Sequence, residues 1–168
     1  MKGKAIGPGW AALVAMAILW PQVGWVAEPP HVHSHAHAAG GLAVSGLQLK
    51  AGQQWATDLP LRQAMTNLRQ RMARALPPIH RQQLREADYA QLATAIHAQV
   101  GSIVERCRLA PEADAMLHLV IADLSSGADM MAGKNAEDRL HGAQQVVEAL
   151  NAYGQHFRHP GWQPLRHE

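Results

Sequence analysis

The stretch TDLPLRQAMTNLRQRMARALPP, Thr57 to Pro78, decides the fold. Leu61, Met65, Leu68, Met72 and Leu76 recur every three to four residues, which places them on one stripe of an α-helix. Thr57 or Asp58 can cap its start, Pro60 sits in the first turn where a missing N–H is harmless, and Pro77-Pro78 predicts its end.

The same period returns three times downstream. Tyr89, Leu92, Ile96, Val100, Ile103 and Cys107 form a second stripe, starting near Asp88 after the cap-like Glu86 and keeping Cys107 in the last turn. The third opens on Pro111-Glu112-Ala113-Asp114, proline at or near the first helical position and acids where they complement the helix dipole. Leu117, Val120, Leu124, Ala128 and Met131 carry its apolar side, and Gly133 is placed to end it. The fourth is expected from Ala136 to Phe157 with Leu140, Ala143, Val147, Leu150, Gly154 and Phe157 inward, stopped by His159-Pro160-Gly161-Trp162. Four amphipathic helices with short links predict an all-α, antiparallel up-down-up-down four-helix bundle over residues 58–159, with a C-terminal tail at 160–168.

Upstream the character changes. Lys2 and Lys4 followed by the apolar run Trp10 to Trp20 and small residues as far as Ala27 read as a signal peptide over residues 1–27, with an uncleaved N-terminal anchor as the alternative. Cleavage after Ala27 puts Trp25 at the −3 position. Ala36-His37-Ala38 is the better A-x-A match, and cleavage there would remove the histidines around it. Residues 28–57, rich in Pro, His, Ala and Gly, read as a flexible arm with a short extended piece at Leu42 to Leu49. The expectation is an exported, periplasmic or secreted protein with no membrane span in its mature form.

All 13 acidic residues follow position 27, whereas two of the 15 basic ones precede it. The mature chain is then near neutral. Eight arginines fall between Arg62 and Arg108, but they are interleaved along helices as a solvated face, so no nucleic-acid partner is expected. The single cysteine, Cys107, cannot form an internal disulfide. It is a buried thiol, an intermolecular link that would make a homodimer, or a metal ligand.

Two constellations carry chemistry. The arm HVHSHAH presents His31, His33, His35 and His37, and imidazoles spaced two apart on a pliant chain can wrap Cu(II), Zn(II) or Ni(II). In the bundle, the start of helix one, the end of helix two, the start of helix three and the end of helix four share one end. At ~1.5 Å rise per residue, Met65, Cys107, Met116, His118, His156 and His159 fall within roughly 10 Å of one height there, and the arm is expected to join at that end. Cys107 and His118, with Met65 or Met116, make a soft donor set for Cu(I), and Cys with His also suits Zn(II). Met65 and His156 also occupy the positions of the axial pair in a b-type four-helix haem protein. Covalent haem attachment is excluded, since no C-x-x-C-H occurs. There is no H-E-x-x-H, G-x-S-x-G or C-x-x-C, and a Cys107–His118 nucleophile pair would lack a cleft, so no enzyme is expected.

The runs QWATDLPLRQAM (54–65), IVERCRLAPEADAMLHLVIADL (103–124) and HPGW (159–162) resemble a family of short exported bacterial proteins called DnrO-like. The resemblance covers most of the mature chain. It implies a His-rich segment after the signal and one intact domain over 54–162, but no mechanism. The expectation is a non-enzymatic metal-binding protein, for copper or else zinc, acting as buffer, chaperone or sensor. Haem binding and a purely structural or interaction role are the alternatives.

Overall fold

The computed structural model describes residues 42–133 and 135–166; the signal and the HVHSHAH arm lie outside them. The described residues form four helices, α1 (Leu59–His80), α2 (Glu86–Arg106), α3 (Pro111–Ala132) and α4 (Ala136–His156). They contact in the cyclic order α1–α2–α3–α4–α1. With links of only a few residues, this is the antiparallel four-helix bundle. Among the described residues, no helix is long and apolar enough to cross a membrane.

Local chemistry sets the ends. Asp58 caps α1, its carboxylate accepting from the Leu61 N–H at 2.9 Å. Asn135 caps α4 by accepting from the Glu137 N–H at 3.0 Å, and Pro111 opens α3. Helix α1 does not stop at Pro77-Pro78 but runs two residues further. Both prolines lose a donor, yet their carbonyls still accept, from Arg81 N–H at 3.3 Å and Gln83 N–H at 2.8 Å. Ile79, 2% exposed, holds that last turn in the core. Cys107 is not in the last turn of α2 but is its extended C-cap.

The predicted stripes supply most of the core: Leu61, Met65, Leu68 and Met72 of α1 join Ile96 and Ile103, Leu117 and Leu124, Val147 and Leu150, whereas Leu92, Val100, Cys107, Leu140 and Gly154 are only half-buried. The α3–α4 contact is the most extensive. It is close because Gly127 and Gly142 face one another; a Cβ on Gly142 would lie 2.4 Å from the Gly127 carbonyl oxygen.

Two segments expected to be separate from the bundle pack onto it. Residues 42–57, read as arm, form a strap running antiparallel to α3. It begins in a 3-10 turn (Ala43–Gly46), buries Leu47 and Trp55, and pairs Lys50 with Glu112 at 3.0 Å. The turn is anchored by Asp123, 4% exposed in the middle of α3. Its carboxylate accepts from Ala43 N–H (3.0 Å), Val44 N–H (2.8 Å) and the Gln145 amide (3.0 Å). At the other end, Trp55 donates its N–H to the His156 carbonyl and accepts from Arg158 N–H, both at 2.8 Å. The apolar side chains that dock the strap have no regular spacing, so periodicity gave no sign of it.

The C-terminal segment fills the groove between α1 and α4. His159-Pro160-Gly161-Trp162 is a turn with proline second, Gly161 third at φ +78° and a Trp162 N–H to His159 carbonyl bond of 3.1 Å. That left-handed third position is the reason for the glycine. Beyond it, Arg69 donates to the Gln163 carbonyl, and the Asn151 side chain pairs reciprocally with Leu165 at 2.8 and 2.9 Å. Leu165 is thereby buried.

Candidate metal centre

The expected bundle site converges in part. Cys107 does meet the start of α1, where its thiol donates to Asp58 Oδ1 at 3.5 Å, and the same carboxylate takes the Arg108 N–H at 2.7 Å. Asp58 therefore joins the first turn of α1 to the end of α2. Burial, followed by the charge of Asp58, pushes the Cys107 thiol up to about 12. A soft metal binds thiolate, and this setting keeps the proton on sulfur.

His118 turns the other way. Its ring is exposed, with Nδ1 donating to the Asp114 carbonyl of its own helix at 2.9 Å and lying 3.5 Å from the Asp114 carboxylate. Met65 is wholly buried in the core, and Met116 is half-buried against it. His156, placed opposite Met65 in the haem reading, is half-buried and bonds Nδ1 to the Ala152 carbonyl at 2.8 Å. No described cleft is lined by Met65, Cys107, Met116 or His156. Among the described residues, no group of three or more His, Cys, Asp or Glu side chains is arranged to hold a metal ion. These residues come to one end, but the thiol points inward to Asp58 and the imidazole outward. His31, His33, His35 and His37 lie outside the described residues.

The described chain starts at Leu42, beside Asp123, and reaches the Cys107 end by Lys50, which pairs with Glu112 in the first turn of α3. From Asp123 to the Lys50 partner Glu112 is eleven residues of helix, ~16 Å.

What the shared end builds is an aromatic and hydroxyl cluster. The Tyr153 hydroxyl lies 3.0 Å from His159 Nδ1, and His159 Nε2 lies 3.3 Å from the Thr66 hydroxyl. Phe157 stacks on Tyr153 at 5.2 Å, and Trp162 meets Tyr153 edge-on at 5.0 Å. Trp162 sits directly over Gly154, where a Cβ would come 2.1 Å from its indole nitrogen. Burial, and then Arg62, lower the pKa of His159, so the neutral ring is favoured. Burial likewise raises that of Tyr153. Both ring nitrogens of His159 are thus engaged within the protein, and the residue fastens the tail.

Sequence reasoning missed two residues that organise this surface. Asp123 lies among Val120, Leu124 and Gly127 on the apolar side of α3, and an acid in that register was the available sign that it holds something. The double role of Asp58 had no sign beyond its capping position.

Compared with protein-family models, with curated proteins and with solved structures, the chain matches none.

Proposed function

We propose that the chain is an exported metal-binding protein in which His31, His33, His35 and His37 supply the ligands, for copper and with lower preference zinc, and the bundle is a stable carrier. It acts as a buffer that captures ions rather than as an enzyme. The observation that carries the reading is HVHSHAH itself: four imidazoles within seven residues, separated from Leu42 by only four. A protonated Cys107 facing Asp58 and an outward His118 argue for the arm over the bundle as the place where metal sits.

The test is equilibrium dialysis of the exported protein against copper and zinc, with elemental analysis and intact mass. A chain starting near Glu28 should retain metal. Replacing the four arm histidines by alanine should abolish retention, whereas Cys107→Ser should leave it unchanged. Metal retained by the arm variant, or a mature mass starting after Ala38, overturns the reading.

A further inference from the structure

The largest cleft described lies where the C-terminal segment crosses the second half of α1, and its volume is about 690 Å³. Its charged lining comes from separate places in the chain: Arg69 from mid-α1, His80 and Arg81 from the end of α1, and Arg166 from the tail. No carboxylate lines it, and among the described residues none lies within ion-pair distance of these arginines. The floor is apolar, with Leu76, Pro77, Pro164 and Leu165.

The charge pattern extends along α1. From Leu59 to Arg85 there is no acidic residue, while Arg62, Arg69, Arg71, Arg74, Arg81 and Arg85 are all present. Away from the cleft, Arg85 bonds Asp88 at 2.8 Å and Arg139 lies 3.7 Å from Glu86, whereas Arg62, Arg106 and Arg108 bond uncharged groups. Two of the three at the cleft use part of their donor sets on uncharged groups. Arg69 Nε goes to the Gln163 carbonyl and Arg81 Nε to Gln83 Oε1. Their terminal nitrogens remain available. Bringing three cations to one concavity is unfavourable by Coulomb repulsion, and an anion accepting from more than one guanidinium reverses the sign. Guanidinium matches tetrahedral oxyanions through paired N–H donors.

We infer that this cleft is a binding site for a phosphate-type oxyanion, carried by a small phosphate compound or by a lipid headgroup whose apolar part rests on Leu76 and Pro164. The site is independent of the arm and of any metal.

Titration of the 15N-labelled exported chain with inorganic phosphate, followed at the backbone amides of Arg81, Leu165 and Arg166, tests the soluble source. Sedimentation with phosphatidylcholine vesicles, with and without phosphatidylglycerol, tests the lipid source. Arg81 and Arg166 are exposed, so the R81Q/R166Q pair should leave the melting temperature unchanged and weaken whichever probe binds at least about tenfold. Arg106→Gln, in the neighbouring cleft, should leave binding unchanged. Saturable phosphate shifts support a soluble ligand, and phosphatidylglycerol-dependent sedimentation alone supports a headgroup. Binding of neither probe, binding equal in the double variant, or loss in R106Q instead overturns the assignment.

Discussion

Replacing Asp123 should detach the N-terminal strap. The carboxylate is 4% exposed and accepts three hydrogen bonds of 2.8 to 3.0 Å, two of them from backbone N–H groups of the 3-10 turn. A hydrogen bond to a charged acceptor contributes about 1.5–3 kcal/mol, and a buried donor left without a partner costs about 1–3 kcal/mol. If the turn stayed in place, Asp123→Ala would orphan three donors. Peeling the strap off lets water satisfy them, which caps the loss at about 3–5 kcal/mol. Asp123→Asn keeps one acceptor oxygen and the shape, and should cost about half as much. Urea denaturation gives the global figure, and hydrogen exchange at Ala43 and Val44 separates local release from global unfolding. The expected pattern is fast exchange at those two amides and a red shift in Trp55 emission, with the helical signal kept. Wild-type exchange at both amides in Asp123→Ala would refute the anchoring argument, whatever the change in global stability.

Gly154→Ala should lower stability by about 2–4 kcal/mol, because the new methyl meets the Trp162 indole and displaces the tail; Trp162→Ala should abolish most of that penalty in the double variant. His159 has a folded pKa below its unfolded value of ~6.5, so its contribution is complete above that pH and is lost as pH falls through the lower folded value. Melting curves from pH 8 to 5 should therefore show wild type losing stability faster than His159→Gln, and parallel curves would count against it. At pH 8 a thiol near 12 is ionised on the order of a thousandfold less than a free one, so native Cys107 should react with iodoacetamide far more slowly than the same chain in urea. Equal rates would place the sulfur in an ordinary aqueous setting.

The helices were legible because burying one side of each imposes a period, and Leu61 to Leu76 carries it without interruption. Their ends were legible where a cap is chemical, as at Asp58 and Pro111. The end of α1 was not, since the burial of Ile79 outweighs two missing proline donors. Residues 42–57 and 160–166 hid their docking because Leu47, Trp55 and Leu165 bury singly, each matched to a gap that exists only once four helices are assembled. The candidate metal site was legible as a common height but not as a common direction. The extended backbone at Cys107 turns the thiol to Asp58, while α3 turns His118 to solvent.

The joint between Trp55 and the residues flanking Phe157 sets the order in which this chain can finish folding. Three helical hairpins close through near neighbours in sequence and can form as the polypeptide lengthens. The Trp55 end of the strap cannot, because its partners His156 and Arg158 are made about a hundred residues later. Until His156 and Arg158 are available, Trp55 has no place to go, and the first turn of α1 stays open on one side. Docking of Trp55 thus couples the two ends of the domain and waits for the end of α4.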